Sequence, residues 1–483
     1  MAFTKTPVNS TYTTKSVGLA KELGSRGTTS AKDSYMRNCY VEMQKNKDTQ
    51  DKEIQIVKRS GSYTAYASVG SGGVRGAWLW KELSKIFIAV LDDIYVYDIQ
   101  TYALVTTLTS VFGTTSGHVG FDEFLYEDTT VGLIATDGTT LVNIDTSYAV
   151  TPAVGVPVHL PYPVFFDGTL YVARINSSSI YNSDIDDPLA WTGGDFIDAE
   201  MRADQIKRIA LLNNYLVAFG SKTIEYFYDG ANASGSPLSR NDSPMKAVGY
   251  VGGFAKFGNR VYFVGETSES GADVYMIEDF KITPLGNDAI RRNITSAAAT
   301  FYGAVVSFHG HDFYVLTTSN ATYALDLENK LWAKWSYKAG STFPITFSLP
   351  VTGDAYGYLN FFTTTLDQSV NVFQETSGTD DSLAEFPVEI ISDNEYFDSY
   401  NRKVCSRVTI YADKPSASLG ILVQTSDDDY QTWTTGQTID LFQELPSATR
   451  WGQFRRRAHK LSYTGALGLR IMKIDLDLNL GSI

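Results

Sequence analysis

The histidines, the clustered carboxylates and the one dense run of arginines are the residues of this chain that could do chemistry. Of its five histidines only His309 and His311 lie close together. On a strand the i, i+2 spacing would put both on one face. Two ligands there could hold a metal only with a third from elsewhere, and no third is visible. NSDIDDPLAW gathers Asp184, Asp186 and Asp187 before Pro188. These could hold calcium, but the twelve-residue loop with its glycine and closing glutamate is missing, and aspartates also build Asx-turns. Cys39 and Cys405 are the only cysteines and fall in different expected domains, where two buried thiols are the plain reading. No pair of facing carboxylates and no nucleophile–base pair is recognisable, so we expect no enzyme, no bound metal and no cofactor. The run RRRAHK (455–460) is the densest positive patch. Arg455, Arg456 and Arg457 are the candidate interface: either a grip for acidic partners or phosphates, or a solvated strand.

The elements that would position these residues are strands. A hairpin of one type recurs seven times: IFIAVLDDIYVYD from Ile86, VGLIATDGTTLVNID from Val131, TLYVARINSSSIYNSD from Thr169, YLVAFGSKTIEYFYD from Tyr215, VYFVGETSESGADVYMIED from Val261, FYVLTTSNATYALDL from Phe313 and YLNFFTTTLDQSVNVFQ from Tyr358. Successive starts lie roughly 45 residues apart, the period of a four-stranded propeller blade. A blade cannot bury both faces alone, but a ring of blades can. The expected fold is all-β: a β-propeller with an N-terminal extended arm and a C-terminal β-sandwich. Seven blades are favoured, with six if the third or last hairpin belongs to another domain. The expected boundaries are an arm and entry strand over 1–52, the propeller over 53–380 and the sandwich over 386–483. EIQIVKRSGSYTAYA (53–67) alternates well enough to supply an outer strand that closes the ring. SGTDDSLAE (377–385) reads as a polar linker. In each hairpin an apolar position should sit between blades: Ile88, Leu133, Val172, Val217, Phe263, Val315 and Phe361.

Composition agrees with this frame. Aromatics make up 13% of 483 residues, with 30 Tyr, 26 Phe and only 14 Pro, which suits pleated, half-buried strands. No apolar run is long enough for a membrane-spanning helix, and the first residues lack the apolar core of a signal peptide, so assembly in a cytoplasm is expected. The net charge of −14 opposes a broad electrostatic grip on nucleic acid. SDDDYQTW (426–433) partly matches the Asp box of sialidases and related propellers, with Tyr430 where that motif prefers glycine. That motif is structural even when complete.

Several segments resemble the packaged-DNA stabilisation protein of short-tailed bacteriophages, also called the tail accessory or nozzle protein. The most specific is IYNSDIDDPLAWTGGDFIDAEMRADQIKRI (180–209). It is followed by LVAFGSKTIEYFYDGANASGSPLSR (216–240), VGYVGGFAKFGNRVYFVG (248–265) and ADVYMIEDFKITPLGNDAIRR (272–292). RNCYVEM with IVKRSGSY resembles the entry strand of that family, and WGQFRRRAHKLSYTG its closing segment. The resemblance implies a homo-oligomeric ring of six copies in a virion tail, below the portal and adaptor ring. Such a ring extends the DNA channel and helps retain the genome. The implied partners are the adaptor ring, a plug or needle protein, and tail fibres or spikes, with DNA passing through without sequence-specific binding. TYALVTTLTSVFGTTSGHVGFDEF (101–124) has no counterpart in the family. A glycan-processing or glycan-binding propeller is the alternative, and it would need two carboxylates facing each other at the central pore.

Overall fold

The computed structural model describes residues 12–19, 34–45, 52–66, 69–70, 72–126, 129–202, 204–232, 234–296, 300–337, 340, 342–343, 345–353, 357–364, 370–373, 381 and 384–480. The chain is an all-β propeller joined to a two-sheet sandwich. Five consecutive meanders, at 74–108, 120–152, 164–198, 206–246 and 249–284, form separate four-stranded antiparallel sheets. Two further meanders depart from this pattern. The strands at 302–335 run on laterally into the sandwich, and those at 345–373 take Ser62–Tyr66 as their fourth strand. The alternating segment after residue 53 thus supplies an outer strand, as its pattern suggested.

The middle strands are apolar runs rather than alternating ones because both of their faces are covered. In Tyr215–Gly220 the odd and even side chains serve different neighbours. Leu216 and Ala218 pack with Tyr171, Ala173 and Ile180 of the third meander. Val217 and Phe219 pack with Val261, Phe263 and Tyr275 of the fifth. The same division recurs around the ring, and one cluster joins Tyr66 and Val370 to Leu79, Ile86 and Ile88, so the last meander closes on the first. Ile88, Leu133, Val172, Val217, Phe263 and Val315 are all buried. The Phe361 side chain lies outside those described.

Four of the hairpins end in an aspartate that shapes the next turn. Asp98, Asp145, Asp229 and Asp326 each accept the amide two residues on, at 2.9, 2.8, 2.6 and 2.8 Å. These are Asx-turns, and they explain a recurring carboxylate with no catalytic demand.

In the sandwich, one sheet continues from Trp332–Trp335 through Tyr35–Arg37 to Pro387–Ile391, Ala458–Thr464, Gly420–Ser426 and Gln437–Asp440. The facing sheet holds Cys39–Lys45, Lys52–Lys58, Arg470–Leu480, Lys403–Ala412 and Ser447–Thr449, with Tyr12–Ser16 alongside Arg470–Leu480. Strands from 1–52 and from 386–483 therefore pair within the same sheets. Cys39 and Cys405, expected in different domains, lie in one apolar cluster as free, buried thiols. The cause is the return of the early strands to the C-terminal sheets. Burial pushes the Cys405 thiol up to about 11.

The expected linker 377–385 lies largely outside the described residues, but Asp381 is fully buried. It pairs through both carboxylate oxygens with Arg59, which is also fully buried, at 3.0 and 2.5 Å. The Arg59 guanidinium stacks 3.8 Å from the Phe386 ring centroid and donates to the carbonyls of Ser60 and Ser336 and to Asn38 Oδ1. One helix, Asp288–Ser296, was not expected. Asn287 caps it by accepting the Ile290 amide, and Ile290 and Ile294 seat it against Val274.

Candidate functional site

The first strands of the meanders converge on the propeller axis, where they are too close for ordinary side chains at several glycines, Gly76, Gly120, Gly249 and Gly303 among them. A Cβ at Gly120 would lie 2.1 Å from the Pro161 carbonyl oxygen, and one at Gly303 2.0 Å from that of Gly253. Between these strands is a cavity of about 330 Å³, lined among others by His118, Asp122, Tyr162, Arg208, Phe254 and Lys256.

The long loop that had no counterpart in the resemblance is pinned beside this cavity. Arg75 donates to the carbonyls of Leu91, Thr114, Ser116 and Gly117 and to the Thr114 hydroxyl. Asp137 accepts the Thr114 amide at 2.9 Å. These bonds fix the segment that presents His118, whose ring centroid stands 5.2 Å from that of Tyr162. The imidazole lines the mouth of the cavity and is exposed there. Loss of hydration there, reinforced by the Arg208 charge, holds it neutral, down to about 3.

Asp122 links two meanders: it accepts the Phe165 amide at 2.7 Å and the amide of Glu123 at 3.0 Å. Enclosure pushes its carboxyl up to about 7, against the pull of those amides and of Lys256. Loss of hydration lowers Lys256 below the usual lysine range, with Asp122 opposing. Arg208 stands between two aromatic faces, 4.0 Å from the Tyr162 centroid and 3.7 Å from that of Phe254. The site can hold charge, but it brings together no nucleophile with a base.

The arginine run divides. Arg455 is exposed, its guanidinium 3.4 Å from the Tyr400 carbonyl, and its own carbonyl accepts from buried Lys403 at 2.9 Å. Arg456 is half-buried, pairing with Asp429 at 2.7 Å and donating to the Tyr396 hydroxyl. Arg457 is only 3% exposed, held through two bonds of 2.7 Å by Asp427 and by the Trp451 carbonyl. A joint made by all three arginines is therefore not presented. A bend at Arg455 and Arg456, between the strands Gln453–Phe454 and Ala458–Thr464, turns Arg457 inward over the Phe454 ring.

The other candidates are occupied by structure. Asp428 of the Asp-box-like segment accepts the amides of Gln431 and Thr432, and these bonds with the Thr432 hydroxyl hold its carboxyl down to about 2. Asp187 accepts the Leu189 amide. His309 sits in a turn at φ 52° rather than on a strand with His311, which bonds Asp326 at 3.1 Å. Among the described residues no group of three His, Cys, Asp or Glu side chains is placed to hold a metal. No described helix is long and apolar enough to cross a membrane. The sequence reading missed the axial cavity. Its signal was the pair of cations Lys207 and Arg208 opening the otherwise apolar first strand IKRIALL.

Among solved structures, the chain is similar to the Pan2 WD40 domain of Neurospora crassa, at 9% identity and TM-score 0.42, covering 66% of this chain and 95% of that one. It is also similar to BamB from Moraxella catarrhalis, at 13% identity and TM-score 0.39, covering 69% and 96%. A third is the Cps50 (Swd1) β-propeller domain of Myceliophteria thermophila, at 8% identity and TM-score 0.41, covering 65% and 99%. Comparison with curated proteins gives no match. The family model described as Bacteriophage P22 Gp10, β-propeller, matches residues 26–342. With that match over most of a chain whose strands form a propeller, this protein belongs to the Bacteriophage P22 Gp10 family of phage stabilisation proteins.

Proposed function

We propose that this protein is a structural component of a phage tail, acting as a nozzle that extends the DNA channel and helps retain packaged DNA. Membership of the P22 Gp10 family carries this reading. The axial geometry supports a ring of copies rather than one propeller as the conduit. The axial cavity, about 330 Å³, is too small for a duplex whose major groove alone is about 12 Å wide. DNA would pass through an opening formed between copies, with six as the expected number. A closed ring repeats one heterologous contact. Arg455, with Arg456 beside it, is the exposed part of the candidate joint. Arg457 supports the strand from within. The adaptor ring, a plug or needle protein, and fibres or spikes are the proposed partners, and the virion tail, assembled in the host cytoplasm, the proposed location.

Seven blades is our reading of the propeller: five separate sheets, the meander at 302–335 shared with the sandwich, and the one completed by Ser62–Tyr66. We place the propeller within 53–380 and the sandwich at 386–483, with strands of 1–52 completing the sandwich. The absence of enzymatic activity is part of the same proposal, since Asp122, the carboxyl with the strongest upward shift at the axis, is committed to two amides. Particles assembled without this protein test the reading. They should package DNA and then lose it, and purified complete particles should contain the protein. Full DNA retention without it would reject the proposal.

A further inference from the structure

Arg208 of the fourth meander stacks between Tyr162, just ahead of the third, and Phe254 of the fifth, yet its charge is not matched. Arg208 forms no ion pair with any described carboxylate, and its Nε is buried without an acceptor among the described residues. The two rings that stack on it fix the guanidinium plane, and the neighbouring Tyr250 hydroxyl, which accepts from it, brings no charge to match it. Lys256, on the first strand of the fifth meander, opens onto the same cavity and likewise makes no ion pair among the described residues. The carboxyl that faces them, Asp122, spends its oxygens on the amides of Phe165 and Glu123. Arg75, the other nearby cation, directs its fork into the carbonyls of its loop. A guanidinium fork held flat, a second cation and an open-mouthed cavity of about 330 Å³ together make a receptor for a planar or tetrahedral oxyanion. The overall charge of −14 makes this positive interior a local exception.

We propose that the axial cavity is a binding site for a small oxyanion, a phosphate or a carboxylate, gripped by the Arg208 fork with Lys256 as the second positive contact. The stacked rings of Tyr162 and Phe254 hold the fork in place before the anion arrives, so little side-chain freedom is lost on binding. This site lies inside one propeller and is independent of how copies join.

Calorimetric titration of the full chain in chloride buffer at fixed ionic strength tests it, with sodium phosphate and sodium citrate as the two probes. One saturable site per chain is expected for at least one probe, and the tighter probe identifies the class. Arg208→Met should weaken that binding at least tenfold, Lys256→Met several-fold, and the surface variant Arg402→Met not at all. Absence of saturable binding of both probes would overturn the proposal, as would unchanged affinity in Arg208→Met. Should Arg208→Met fail to fold, Lys256→Met decides: unchanged affinity there counts against the site.

Discussion

Replacing Asp381 with alanine should be among the most damaging single changes outside the apolar clusters. The substitution leaves the Arg59 guanidinium fully buried with its bidentate partner gone. Its remaining donors reach the carbonyls of Ser60 and Ser336 and Asn38 Oδ1, but none of these carries a compensating charge. Removing one member of a buried pair typically costs about 3–5 kcal/mol, because the other charge stays in a medium that solvates it poorly. Stacking on Phe386 at 3.8 Å and Phe343 at 4.8 Å offsets part of this, so the lower half of that range is expected. Replacing both partners, Arg59→Met with Asp381→Leu, should recover most of the loss, since an apolar pair needs no solvation there. Urea unfolding of the three forms measures these differences through the midpoint at constant slope. An Asp381→Ala protein as stable as the parent would refute the reasoning. So would a double variant no more stable than the single one.

Val217→Asp buries an unpaired carboxylate between the fourth and fifth meanders and should cost several kcal/mol; normal unfolding of this variant would contradict the assigned facing of the strand. Arg457→Glu should destabilise the sandwich by about 3–5 kcal/mol by facing Asp427, whereas exposed Arg455→Glu should leave stability within about 0.5 kcal/mol while weakening ring assembly. Equal thermal melting of those two variants would undo the distinction. Asp122 sets a pH dependence. Its folded carboxyl, near 7, lies above its unfolded value, so the stability it contributes is complete below about pH 4 and lost as pH rises through 7. Asp122→Asn should therefore gain in urea midpoint relative to the parent more at pH 8 than at pH 5, and an equal difference at the two values would argue against an enclosed carboxyl.

The propeller was legible because its chemistry is local and repeated. A strand buried on both faces must be a short apolar run, so VAFG at 217–220 and its counterparts announce themselves and their spacing gives the period. The closing strand showed the alternation of its own sequence. What stayed hidden depends on contacts between distant residues. Tyr35–Arg37 bridges the meander at 302–335 to the C-terminal strands through a parallel pairing, Arg37 with Lys334, across nearly 300 positions. The polar context of Asp381 spoke for an exposed linker, and only Arg59, brought from the other end of the chain, makes its burial tolerable. The arginine run was visible as charge, but its inward member was not, because Asp427 lies 30 residues away on another segment. The axial site was missed for a related reason. The period was read from the middle hairpins, while the cavity is lined by the strands that precede them. The helix had a readable start in Asn287–Asp288, overlooked inside an otherwise β pattern.

The symmetry of the assembled tail tests the central claim most directly. Image averaging of purified particles, viewed along the tail axis, should show this protein as a closed ring, six copies expected, with the DNA path between the copies and not through any one propeller. A single copy per tail, or duplex density running along the axis of one propeller, would contradict the account.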